Sequence, residues 1–79
     1  AFDNLHTVLE AAGGAPEHLV RMRIYVVDVE AWRANSRAIG KAYQKRFGRW
    51  YPAMTLVQVV RLYDAEALVE IEGEAVLPA

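Results

Sequence analysis

Three glutamates alternate along the last apolar segment, "LVEIEGEAVL": Glu70, Glu72 and Glu74. Alternate residues of a strand share a face at roughly 6.5–7 Å spacing, so three carboxylates there repel unless something offsets them. Two roles fit. Arg21 and Arg23 stand on the polar face of an earlier strand and Arg61 lies close in sequence, so cross-strand ion pairs would neutralise the ladder. Alternatively, the polar face lines a cleft between subunits, where one glutamate serves as acid, base or holder of a water molecule.

Other polar residues carry less chemistry. Asn35 sits beside an apolar helix stripe and either bonds locally or meets a ligand or neighbouring subunit. His6 and His18 lack partners at metal-ligand spacing and suit surface or capping roles. Ser36 and Thr55 have no nucleophile context, and Gly13-Gly14 follows a helix where a phosphate loop would precede one. With no cysteine, disulfides and thiolate metal sites are excluded. No metal site is expected from these spacings. In "YPAMTLVQVV", Met54 is the first large side chain after a rigid turn, and taken alone it is flexible apolar filler.

The elements that must position these groups follow from periodicity. A helix is expected over about 2–12, with Phe2, Leu5, Val8 (or Leu9) and Ala12 at helical spacing and Gly13-Gly14 as its stop. Residues 19–27 alternate as a strand, Val20, Met22, Ile24 and Val26 on one face and Arg21, Arg23, Tyr25 and Val27 on the other. Asp28 caps a second helix over about 29–47, buried along Trp32, Ser36, Ile39, Tyr43 and Phe47. Gly48 ends it. Strands follow at 54–61 and 68–77, giving the order α-β-α-β-β.

The chain has 79 residues, 54% of them hydrophobic and 24% charged, which suits one small globular domain. A domain this short commonly needs a staple or a partner, and here oligomerisation is the candidate. A net charge of −1 gives no overall attraction to nucleic acid or anionic membrane. The helix cations Arg33, Arg37, Lys41, Lys45 and Arg46 form a solvated face without an aromatic stacking platform, so ribonuclease activity has little support. No apolar run approaches 18 residues and no signal pattern opens the chain, so a cytoplasmic setting is expected. With no starting Met and apolar periodicity already running at Phe2, the sequence reads as the C-terminal part of a longer chain.

Taken together, "FDNLHTVLEAAGGAPEHLVRMRIYVVDVEAW", Asn35, "YPAMTLVQV" and "ALVEIEGEAV" resemble the RidA/YjgF family, the reactive-intermediate deaminases also described as endoribonuclease L-PSP-like. The resemblance runs through nearly all 79 residues. It implies an α+β, chorismate-mutase-like fold, a mixed sheet with two helices on one face. It also implies homotrimers with clefts between subunits, and a single domain over 1–79 whose N-terminal strands are absent. Archetypal members hydrolyse 2-imino and 2-enamino acids without a cofactor. Glu70 matches the acidic residue that positions water, and Asn35 matches an Asn at the cleft. Met54 stands where an Arg clamps the substrate carboxylate, and Thr55 at the motif's Ser/Thr, so Asn35, Met54 and Thr55 are the candidate substrate contacts. Methionine cannot form a charged fork. The resemblance therefore implies a small-molecule hydrolase or binding protein of an Arg-lacking branch, or a non-catalytic homotrimeric binding module that kept the fold.

Overall fold

The computed structural model describes residues 1–78. Helix α1 (Phe2–Ala11) leads through a short 3-10 turn (Pro16–His18) into strand β1 (Leu19–Val26). Helices α2 (Val29–Ala34) and α3 (Ser36–Phe47) follow, then strands β2 (Ala53–Gln58) and β3 (Val69–Ala75). The sheet order is β2-β1-β3, with β1 parallel to β2 and antiparallel to β3. This is the expected mixed sheet with all its helices on one face.

Local chemistry accounts for the boundaries. Gly13 (φ 87°) donates to the Glu10 carbonyl and Gly14 to that of Leu9, the paired bonds of a left-handed helix stop. His18 Nδ1 accepts the Ala15 N–H at 2.9 Å, a capping role that ties off the turn before β1. Asp28 Oδ1 accepts the N–H groups of Glu30 and Ala31, each at 3.1 Å, and so caps α2 as expected.

Four expectations change. The single helix over 29–47 is two helices broken at Asn35 (φ −107°, ψ 16°). The Asn35 side-chain amide donates to the Ala31 carbonyl at 2.8 Å, sharing that acceptor with the Asn35 backbone N–H at 3.2 Å. Ser36, placed in the buried stripe, is exposed just beyond that break. Val20, placed on the apolar face of β1, is 49% exposed, while Leu19 is buried. A bulge between Leu19 and Arg21 inserts one residue against β3 and inverts the alternation at the strand's first turn of pleat. The last two strands are also shorter than 54–61 and 68–77, since Gln58 and Ala75 end the ladder.

The core lies between sheet and helices. Met22, Ile24 and Val26 of β1 meet Phe2 and Leu9 of α1 and Tyr43 and Phe47 of α3. Phe2 stands edge-on to Tyr43 (5.4 Å) and to Phe47 (6.2 Å), a favoured aromatic geometry. Leu56 of β2 and Val69 and Ile71 of β3 border this core, half-buried. One sheet face is thus covered; the other carries no element of the described chain.

Candidate functional site

The open face is organised in rows that cross β2, β1 and β3 through the register. One row is Ala53, Arg21 and Glu74; the next is Thr55, Arg23 and Glu72; the third is Val57, Tyr25 and Glu70. The glutamate ladder therefore lies directly beside the two arginines and Tyr25.

Its three members are not equivalent. Arg23 forks across two of them, reaching Glu74 at 2.7 Å and Glu72 at 3.2 Å. Arg21 adds a looser contact to Glu74 at 3.7 Å. Tyr25 donates its hydroxyl to Glu72 at 2.8 Å, although its register partner is Glu70. That hydrogen bond, with desolvation and the carboxylate's charge behind it, raises the Tyr25 phenol above its ordinary range. The two glutamates likewise hold the Arg23 guanidinium firmly protonated, the Glu74 hydrogen bond foremost. Among the described residues Glu70 has neither a hydrogen bond nor an ion pair to protein. Arg61, the third expected partner, is exposed beyond the end of β2 and pairs with no carboxylate of the described chain.

The other candidate residues are distributed around the sheet. Thr55 shares the open face with Glu70, but on the opposite edge strand and one row away, about 12 Å across β1 by ordinary strand spacing. Met54 is the register partner of buried Met22 and so belongs to the helix-facing row, where it is 42% exposed at the rim. Asn35 lies on the helix side as well. A single chain therefore brings Thr55 and Glu70 to one face and keeps Met54 and Asn35 on the other.

Asn35 borders a groove of about 440 Å³ at the end where β1 runs into α2 and β3 begins. Val26, Trp32, Ile39 and Val69 form its apolar walls, and Asp28 and Asn35 bring polar atoms to it. Asp28 and Trp32 had a purely structural role in the sequence, as cap and as buried stripe. Tyr25 was placed on the polar face, but its hold on Glu72 could not be read from spacing. Among the described residues no group of His, Cys, Asp or Glu is arranged to hold a metal ion. No helix is long and apolar enough to cross a membrane.

Residues 1–77 match the endoribonuclease L-PSP family, that is, nearly the whole chain. The chain belongs to this family. A RutC family protein, UK114 of Drosophila melanogaster, is 31% identical over 72 residues, covering 91% of this chain and 49% of that protein. The L-PSP fold also superimposes on solved structures. A member of the YjgF/YER057c/UK114 family from Mycobacterium tuberculosis matches with a TM-score of 0.77 at 35% identity, over 95% of this chain and 60% of its own. A protein of unknown function from Pseudomonas aeruginosa matches with a TM-score of 0.76 at 39% identity, over 95% and 51% respectively. This L-PSP chain thus spans about half the length of the curated relative it matches. The expected RidA/YjgF membership and fold both hold.

Proposed function

We propose that this chain is part of a homo-oligomeric, small-molecule hydrolase of the RidA type, with Glu70 as its acid/base group in a cleft between subunits. The observation that carries this reading is the division of labour on the open face. Glu72 and Glu74 are taken up by Arg23, Arg21 and Tyr25, whereas Glu70 keeps both carboxylate oxygens available. Exposed Val57 in the same row, and exposed Val8 and Leu68 near the β3 edge, support coverage of these surfaces by further protein. A trimer is the assembly that the family resemblance favours.

The chemistry is cofactor-independent hydrolysis of an imine. Glu70 takes a proton from water as the oxygen bonds to the imine carbon and the C=N π pair moves to nitrogen. The proton returns to nitrogen, giving a carbinolamine. Glu70 then accepts the hydroxyl proton and delivers it to the amine as the C–N bond breaks, so the products are a carbonyl compound and ammonia. Thr55 supplies a hydroxyl on the same face. Met54 forms apolar wall where relatives of the archetypal type carry the carboxylate clamp, and Asn35 offers its amide from the helix side, to be met across a subunit boundary. Loss of a desolvated charged fork costs on the order of 2–3 kcal/mol of binding, so simple 2-imino acids are poor substrates.

A second reading, a non-catalytic binding module, is favoured by one observation: two of the three glutamates are already neutralised by arginine. Ammonia release from imines generated in situ, compared for the wild type and Glu70→Gln, separates the two. Glu70-dependent turnover supports the hydrolase; identical release with and without protein supports the module.

A further inference from the structure

Helix α3 carries Arg37, Lys41, Lys45 and Arg46 and no carboxylate. Arg46 is taken up by Asp3 of α1 at 2.6 Å, as Arg33 of α2 is by Glu30 at 2.8 Å. Arg37, Lys41 and Lys45 are exposed and, among the described residues, pair with no carboxylate. They recur every fourth residue, roughly 6 Å apart along the axis, on the side of α3 opposite Ile39, Tyr43 and Phe47, which pack on the core. Such a row is locally unfavourable. Like charges at i, i+4 destabilise a helix, and Arg37 lies in the first turn, at the positive end of the helix dipole. The chain as a whole is at −1, and three of the balancing carboxylates stand on the open face of the sheet. The positive charge of α3 is therefore segregated, not part of an overall basic balance. Beside Arg37 and Lys41 lies a shallow depression of about 310 Å³, lined also by Ala34 and Ala38, whose side chains are too short to hold a neighbouring backbone away.

We propose that the outer face of α3 docks an acidic helical segment of a partner protein, whose carboxylates at i, i+4 spacing meet Arg37, Lys41 and Lys45. Two helices share the same repeat, so the cation row and the carboxylate row stay in step along their length. The short alanines let the two axes come close, since interaxial distance follows the side chains at the contact. Each exposed ion pair contributes little alone, so the matched spacing of several is what gives preference. Carboxylates placed against the row also relieve its internal repulsion, which ties binding to the stability of α3. Nucleic acid fits this face poorly: Trp32, Tyr43 and Phe47 pack on the core side and leave no ring for base stacking. A lipid surface fits poorly too, because alanines stand between the cations and no large apolar side chain is there to enter it. The surface lies on the helix side, opposite the sheet face that carries Glu70. The proposal thus goes beyond the hydrolase reading and does not depend on it.

Fluorescence anisotropy at low salt, with the intact protein and three labelled probes, tests it. The probes are an alanine-rich helical peptide with a glutamate at every fourth position, a peptide of the same composition with no two glutamates at i, i+4, and a single-stranded RNA of equal charge. The first peptide is expected to bind about tenfold or more tighter than either of the others, and to weaken as salt is added. Phosphatidylserine vesicles are expected to leave the protein in the supernatant on sedimentation. Lys41→Glu sets a carboxylate between Arg37 and Lys45, and is expected to weaken the first peptide about tenfold or more while raising the unfolding midpoint. Misfolding cannot produce that combination. Lys41→Arg should retain binding. Absence of binding by the first peptide, equal binding of the two peptides, tighter binding of RNA, capture by the vesicles, or a Lys41→Glu affinity equal to wild type would overturn the proposal. Imine hydrolysis is expected to be unchanged in Lys41→Glu, so loss of hydrolysis in Glu70→Gln and loss of docking in Lys41→Glu are read separately.

Discussion

Tyr25 and Glu70 are register partners across β1 and β3, yet the Tyr25 hydroxyl bonds Glu72, one row away, at 2.8 Å. That diagonal bond is what separates the ladder into two occupied carboxylates and one free one. It makes Glu70 available by engaging its neighbour.

Replacing Glu70 should therefore be a functional change and replacing Glu72 a structural one. Glu70→Gln is expected to lower imine hydrolysis by about 100-fold or more, the scale of a lost acid/base group, with an unchanged unfolding midpoint. Glu72→Gln should lower the midpoint while retaining most turnover. Paired kinetic and denaturant measurements on both variants check this.

The raised Tyr25 phenol gives a pH dependence with a definite sign. Its hydrogen bond to Glu72 favours the neutral phenol in the fold, so this contribution is complete below the unfolded value of 10.0. It is lost as pH rises through the folded value, and stability should fall there. Tyr25→Phe should flatten that fall. Burial also raises Tyr43, so the ultraviolet tyrosinate titration of Tyr25→Phe should retain the late Tyr43 component. At the acid end the sign reverses. The Arg46 hydrogen bond lowers Asp3, so its contribution is present above 3.8 and lost as pH falls through the folded value.

The bulge in β1 predicts an asymmetry between neighbours. Leu19→Ala should cost about 2–5 kcal/mol, because Leu19 is 1% exposed. Val20→Ala should change stability by only about 0.5 kcal/mol, because Val20 is 49% exposed. Chemical denaturation of both variants distinguishes the bulged register from an unbroken alternation, in which the costs would be reversed.

Much of this architecture was legible from local pattern. Met22, Ile24 and Val26 alternate as a buried strand face must, and Asp28 and Gly13 have the chemistry of helix ends. The bulge was not, since it arises from how β3 pairs with β1, a long-range register that a run such as "LVRMR" does not encode. Nor was the break at Asn35, where side-chain and backbone N–H share the Ala31 carbonyl while the helical period continues on both sides. For the site, the ladder and its arginine partners could be read, because strand alternation places them. Which glutamate stays free could not, because that depends on Tyr25 and Arg23 choosing among equally spaced carboxylates. The groove was equally hidden: Asp28 and Trp32 each satisfy an ordinary structural role, and only the fold sets them around one cavity.

Met54 offers a gain-of-function test. It sits 42% exposed at the rim of β2, so an arginine can be accommodated there. Met54→Arg is expected to improve 2-imino acid hydrolysis by about tenfold or more through a lower KM, as a charged fork to the substrate carboxylate is restored. Unchanged KM values would show that this position does not contact the carboxylate.

The most direct test compares ammonia release from two imines made in situ, one from an amino acid and one from the corresponding carboxylate-free amine. A Glu70-based site without a carboxylate clamp predicts faster turnover of the carboxylate-free imine, abolished in Glu70→Gln. Faster turnover of the imino acid, or turnover indifferent to Glu70→Gln, would contradict it.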